Sequence, residues 1–261
     1  MAYAHILFEP SEEGIVLITV NRPEKLNTLN LASMGELDDA LARIEADAAH
    51  RALILSGAGE KAFIVGADIN ELIEATPLEG KARCLRDQRI MRRLESMGKP
   101  SIAAINGYAL GGGLELAMCC TLRVASCNAR LGLPEVRIGV FPANGGTQRL
   151  PQLVGRGRAL EMMLTGQPID ATEAHRIGLV NHVVPQTELL DFCRGLLRTI
   201  LENAPVAAAL LMESVDLGLR SGMEAGLQFE AAAFAAVTAT EDRREGMRAF
   251  LEKRRPVFRG R

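Results

Sequence analysis

The run Leu110-Gly111-Gly112-Gly113-Leu114-Glu115-Leu116-Ala117-Met118 sets a carboxylate inside an apolar helix that opens on three glycines. Glycine N–H groups at a helix start are unshielded by side chains and stabilise a developing negative charge. Glu115 stands three residues past Gly112, so its side chain shares that helix face and leans back toward the helix start. No sequence neighbour offers it a salt bridge, so the setting predicts a raised pKa and a proton-transfer role. Twenty residues on, Glu135 lies in a second apolar stretch, Leu131-Gly132-Leu133-Pro134-Glu135-Val136. Two desolvated carboxylates beside peptide N–H donors make a candidate acid–base site for a carbonyl substrate. The competing reading keeps both glutamates as structural carboxylates satisfied by backbone N–H groups or arginines. It makes the glycines close-packing residues, a role that suits Gly113 even where Gly112 is a donor.

The elements that must position these groups are legible in outline. A strand over 15–20 ends in the turn Asn21-Arg22-Pro23, and a helix from about residue 30 carries Met34, Leu37, Leu41 and Ile44 at helical spacing. A strand over 51–55 closes at Ser56-Gly57-Ala58-Gly59, and residues 62–65 are extended. Gly66-Ala67 then leads into a helix, where Asp68 and Glu71 have capping-box spacing; Asp68 reads as a cap rather than a catalytic acid. Thr76-Pro77-Leu78-Glu79 opens the next helix, with proline at its first position. A buried strand over 101–105, the glycine-opened helix and a strand over 122–125 follow. Short helices begin near residue 145, one extended piece falls around 179–184, and beyond Gln186 the chain is nearly all helical, with Pro205 as a fresh start. The pattern predicts an α/β core over 1–195 and a helical region over 196–261.

Composition removes several classes. The chain has 261 residues, 48% of them hydrophobic, enough for a substantial core. A formal net charge of −2 gives no general pull toward nucleic acid or anionic membrane. The first residues lack the pattern of a signal peptide, and apolar runs are broken too early to span a bilayer. Five cysteines without a C-x-x-C pair fit a reducing compartment, and Cys119-Cys120 read as core within the apolar helix. No motif predicts a metal, and His5, His50, His175 and His182 lie outside the motif blocks. The basic stretch over 81–99 reads as a solvated helix face, with attraction of a ligand's phosphates or RNA binding as alternatives. Aromatic residues for base stacking are scarce.

Three blocks in order, Gly66-Ala67-Asp68-Ile69, then Asn106-Gly107-Tyr108-Ala109-Leu110-Gly111-Gly112-Gly113-Leu114-Glu115, then Leu133-Pro134-Glu135, resemble the crotonase (enoyl-CoA hydratase/isomerase) superfamily. The Asn21-Arg22-Pro23-Glu24-Lys25-Leu26-Asn27 turn and Gly145-Gly146-Thr147-Gln148-Arg149-Leu150 are similar to further family segments. The resemblance implies a spiral of ββα turns with an α-helical C-terminal trimerisation region, a homotrimer or dimer of trimers, and acyl-CoA substrates. It implies oxyanion donors at the N–H groups of Ala67 and Gly112, and the catalytic carboxylates Glu115 and Glu135. Arg22 and Lys25 would hold CoA phosphates or adenine, with Leu26, Gly66, Asp68, Ile69 and Gly111 as further substrate contacts. Retention of both glutamates favours an enoyl-CoA hydratase of fatty-acid or amino-acid breakdown. Glu115 would activate water and Glu135 would protonate the α-carbon, although sequence leaves that division open. Alternatives are isomerisation, methylglutaconyl-CoA-type hydration, or a silent acyl-CoA- or RNA-binding member. No cofactor beyond the substrate's own CoA, no nucleic-acid or membrane partner, and a cytoplasmic location are expected. Departures from the common pattern are Leu133 for a frequent glutamine, Ala143-Asn144 before the glycine pair, and Asn70 for a frequent lysine.

Overall fold

The computed structural model describes residues 3–261. Its strands are β1 (Ile6–Pro10), β2 (Ile15–Val20), β3 (Ala52–Gly57), β4 (Ala62–Val65), β5 (Ser101–Ile105), β6 (Tyr108–Leu110), β7 (Leu122–Ser126), β8 (Arg130–Gly132), β9 (Ile169–Asp170) and β10 (His182–Val184). Its helices are α1 (Leu31–Ala46), α2 (Pro77–Ser96), α3 (Gly112–Ala117), α4 (Gly146–Val154), α5 (Arg156–Thr165), α6 (Ala171–Arg176), α7 (Leu189–Leu201), α8 (Pro205–Ser221), α9 (Met223–Ala239) and α10 (Glu241–Leu251).

One sheet runs β1-β2-β3-β5-β7-β10, parallel except for the β1–β2 pair. The other runs β4-β6-β8-β9, with β9 antiparallel. Strands β3, β5 and β7 enter the first sheet, and the strand following each enters the second. This alternation winds the chain into a spiral of ββα turns. Every residue of β3 and β5 is buried, as parallel strands covered on both faces require.

The local signals work as chemistry demands. Asn30 caps α1: its side chain accepts from Ser33 N–H while the Ser33 hydroxyl accepts from Asn30 N–H. Met34, Leu37, Leu41 and Ile44 turn into the core, each side chain contributing about 1.5–3 kcal/mol. Thr76 and Glu79 form the reciprocal capping box of α2 behind Pro77.

Four expectations need correction. Ile69–Glu71 is a single 3-10 turn rather than a helix with a capping box. Asp68 caps it, but the Glu71 carboxylate instead accepts from Leu31 N–H and Arg83. α3 ends at Ala117, so Cys119 and Cys120 lie in the buried turn beyond it. β3 continues through Ser56-Gly57, because Gly57 still pairs with Val20. Strands β1, β6, β8 and β9 have no counterpart in the sequence reading; β6 and β8, at three residues each, and β9, at two, are too short to show a period.

The chain divides into two compact units, residues 1–97 with 101–194, and residues 98–100 with 195–261. The first holds both sheets. The second contains α8, α9 and α10. Gly218 and Gly226 let α8 and α9 approach closely, since a Cβ on Gly226 would lie 2.7 Å from the Gly218 Cα. Buried Asp242, near the start of α10, accepts from Arg259 and Gly260 N–H, tying the last residues to that helix. Leu211, Leu219, Leu227, Phe234 and Phe250 remain exposed on this unit.

Candidate active site

Strands β4 and β6 pair in parallel with Val65 opposite Leu110, so the residues leaving the two strands emerge side by side. After β4 come Gly66 and Ala67; after β6 come Gly111 and Gly112. Gly66 N–H is taken by Leu110, Gly111 N–H by Gly132, and Asp68 N–H by Leu29. Between them, the N–H groups of Ala67 and Gly112 have no acceptor among the described residues. A Cβ built on Gly112 would stand 3.8 Å from the Ala67 nitrogen, so both donors border one space. Gly111 makes the turn into α3 at φ 53, ψ −128, which a side chain would strain.

Both donors open on a cavity of about 680 Å³ that Glu115 and Glu135 also line. Glu115 is 2% exposed, and its Oε1 accepts N–H bonds from Asn144 and Gly146, each at 2.8 Å. A Cβ on Gly146 would lie 2.9 Å from that oxygen, so this position has no room for a side chain. Arg149 braces the holding loop by donating to Asn144 O while its Nε pairs with Glu95 at 3.0 Å. Burial raises the Glu115 pKa despite the two N–H bonds and the nearby Arg149 charge, which act the other way. Glu135 begins the short 3-10 turn after Pro134, and its Oε2 is buried without a partner. Burial, with a lesser push from the Glu115 charge, lifts its pKa to about 7.

Of the residues expected to bind substrate, Gly66, Ile69 and Gly111 line the same cavity. Arg22, Lys25 and Asp68 form a separate ionic cluster. Arg22 is buried, donating to Thr28 O and bonding Asp68 at 3.2 Å; that side chain is committed to fixing the turn. Lys25, 3.9 Å from Asp68, and Leu26 are exposed on this turn, as are Pro23 and Glu24. The sequence reading missed the Asn144 and Gly146 amides that hold Glu115. It also missed Arg83, Cys84 and Asp87 of α2, which line the cavity. Their i, i+1, i+4 spacing was the available signal, but it was absorbed into a solvated basic face. In fact Arg83 and Arg86 pair with Asp87, and Arg89 and Arg93 pair with Asp38 of α1. Among the described residues no group of three or more His, Cys, Asp or Glu side chains is placed to hold a metal.

Two interleaved sheets wound as ββα turns, with free N–H groups from successive turns meeting at one cavity, define a crotonase-type enzyme. The chain belongs to the enoyl-CoA hydratase/isomerase family, which it matches over residues 10–261. It is 46% identical to a short-chain-enoyl-CoA hydratase of Clostridium acetobutylicum, covering 94% of both chains. It is 43% identical to a crotonyl-CoA hydratase of Syntrophomonas wolfei, covering 99% of both. The crystal structure of an enoyl-CoA hydratase from Bacillus anthracis superposes with a TM-score of 0.94 at 40% identity, covering 99% of this chain and all of that one.

The two central glycines separate structural from chemical need. A Cβ on Gly113 would stand 2.1 Å from the Ile64 carbonyl oxygen, whereas one on Gly112 meets nothing closer than 3.8 Å. Gly113→Ala is expected to lower stability by about 3 kcal/mol or more. Gly112→Ala is expected to melt within a few degrees of wild type while losing most turnover. Denaturation curves and initial rates on the two variants check this, and equal stabilities would contradict the packing argument. Glu135 gives a second test. Its folded pKa lies above the unfolded value, so its stabilising contribution is complete below the unfolded pKa and lost as pH rises through about 7. Glu135→Gln, neutral throughout, should therefore melt above wild type at pH 8, with the gap shrinking toward pH 5. A gap independent of pH would refute the buried, raised carboxyl.

Proposed function

We propose that this chain is an enoyl-CoA hydratase, a lyase that adds water across a 2-enoyl-CoA thioester to give the 3-hydroxyacyl-CoA. The observation that carries the reading is the convergence of four groups on one cavity: the unpaired N–H donors of Ala67 and Gly112, and the carboxyls of Glu115 and Glu135. The relatives named above as hydratases support the same reaction.

In this reading the thioester carbonyl oxygen accepts both N–H bonds, which strengthen as the oxygen takes on enolate charge; each well-aimed donor is worth roughly 100- to 1,000-fold in rate. Glu115 has one oxygen fixed by two amides, leaving the other to accept a proton from water as the water oxygen bonds to C3. Glu135, with a pKa near 7 and no partner on Oε2, retains a proton near neutrality and delivers it to C2. The division of roles is proposed from the hydrogen bonds: two amide bonds hold one Glu115 oxygen and oppose the effect of burial there, while Glu135 Oε2 has no such partner. The acyl-CoA and water are the only reactants this chemistry requires, with no separate cofactor or metal. Lys25 and Leu26 on the exposed turn are proposed to meet the CoA moiety, with Arg22 and Asp68 holding that turn in place. The arginine pairing along α2 gives no support to an RNA-binding role.

A homotrimer, alone or doubled, is proposed from the exposed apolar residues of α8, α9 and α10 together with the family fold. The five unpaired cysteines support a reducing compartment, and the cytoplasm is proposed as the location. Among the described residues, no single helix is long and apolar enough to cross a membrane.

Glu115→Gln and Glu135→Gln should each cut hydration of crotonyl-CoA by roughly 100-fold or more. The double variant should lose far less than the product, because the two groups serve one addition. Acyl-CoA binding should persist, and exchange of α-hydrogen with heavy water should slow in either single variant. Full hydration in one variant, with undiminished 3-enoyl to 2-enoyl isomerisation, would replace the hydratase assignment with an isomerase. Light scattering tests the assembly: a particle of three or six times 28.2 kDa is expected. A stable monomer at micromolar concentration would exclude it.

A further inference from the structure

The side chain of Asn144 stands beside the donor pair, and nothing in the local fold accounts for it. An asparagine just ahead of a helix commonly caps it, accepting from an N–H two or three residues on. That role is closed here. The N-cap of α4 is Gly145, the helix has no side-chain cap, and the Gly146 N–H is taken by Glu115 Oε1. The main chain of Asn144 makes two bonds: its N–H donates to Glu115 Oε1 at 2.8 Å, and its carbonyl accepts from Arg149 Nη1 at 3.0 Å. Its side-chain amide has no hydrogen-bond partner among the described residues, and the residue is half-buried in the cavity lining. Gly112 locates that amide. A Cβ built on Gly112 would lie 3.8 Å from the Ala67 nitrogen and 3.8 Å from Asn144 Nδ2, with nothing nearer. The space beside Gly112 is thus bordered by a main-chain nitrogen and by a side-chain nitrogen that has two protons to donate.

We infer that the Asn144 side-chain amide is a third donor to the thioester oxygen, engaged as that oxygen takes on enolate charge, and so a further catalytic residue of this chain. The inference rests on the hydratase reading above and adds a residue to its machinery. An oxygen that accepts from Ala67 and Gly112 occupies the space that Nδ2 borders. Two donors already satisfy the lone pairs of a neutral carbonyl. The third therefore gains most when negative charge builds, and a contact stronger in the transition state than in the ground state accelerates the reaction rather than only binding substrate. The amide is uncharged, so it adds this support without a new charge beside Glu115 and Glu135. Its stem is fixed by the two main-chain bonds, which leaves little motion to be frozen when it engages. Asn144 is also one of the departures from the common family pattern, which makes its donor an addition to the Ala67 and Gly112 pair rather than a part of it.

Asn144→Ala and Asn144→Leu test this, the second keeping a branched side chain of similar bulk without the amide. Neither removes the two main-chain bonds, and residue 144 has no positive φ, so both should fold. Two rates are measured on each: hydration of crotonyl-CoA, and exchange of the α-hydrogens of butyryl-CoA with heavy water. In exchange the C2–H bond breaks, the proton passes to the Glu135 carboxylate, and the electron pair moves onto the thioester oxygen; a deuteron then returns to C2 and no water is added. Both variants should lose about 10-fold or more in kcat for hydration and a matching factor in exchange. KM should stay within about 3-fold, and the pH dependence of kcat should not move. Reduced hydration with full exchange would make Asn144 a holder of water, and a rise in KM alone would make it a binding contact. A shifted pH profile would make it act through a carboxyl, and full activity in Asn144→Leu would make bulk the cause. Each of these overturns the third donor, as does unchanged turnover. Should wild type exchange α-hydrogens but hydrate no enoyl-CoA, the hydratase reading falls while exchange in the variants still decides the donor. A wild type inert in both assays removes both.

Discussion

The close passage of α3 over β4 is the constraint on which the site depends. Gly113 sits where any Cβ would strike the Ile64 carbonyl, and the Val65–Leu110 register sets the two strand ends level. Given that contact and that register, the free N–H groups of Ala67 and Gly112 face the same space without help from any side chain. The donors belong to two successive turns of the spiral, so their alignment is a property of the sheet and helix packing. A site made from main chain on regular elements is rigid, as electrostatic stabilisation of a transient charge requires.

The two glutamates show how one residue type acquires two characters in one cavity. Glu115 is almost fully enclosed yet receives two amide N–H bonds, which oppose the effect of burial. Glu135 is less enclosed but has no partner on Oε2, and burial dominates its pKa. Burial is the largest influence on both and raises both, and only at Glu115 do amide bonds from the neighbouring loop oppose it. Their proximity couples them, since the Glu115 charge adds to the upward shift of Glu135.

Much of this was readable from the chain where the signal was local. The α1 core stripe, the span of β4 and the Thr76–Glu79 cap each depend on residues within a few positions of one another, and they appear as expected. The glycine-opened segment, Glu115 and Glu135 stood out as chemistry before any geometry was known. What the sequence did not carry was partnership at a distance. β6 and β8 owe their existence to neighbours in the sheet and show no period of their own. Arg22 resembled a phosphate contact, but Asp68, 46 residues away, claims it. Helical spacing placed Arg83 and Asp87 on one face of α2 without saying that the face meets a cavity. Glu71 looked like a cap for its own turn, whereas its carboxylate lies against the start of α1 and Arg83.

The manner in which Glu115 is held bears on how this site can change over time. Its oxygen is gripped by the amides of residues 144 and 146, and the intervening loop is fastened by Arg149 through the Asn144 carbonyl. The side chains at 143 and 144 take no part in that grip. Mutational drift at those two positions is therefore invisible to the carboxylate as long as the loop keeps its path. The same positions face the cavity, so new substrate preferences can be explored there while the proton-transfer geometry stays fixed.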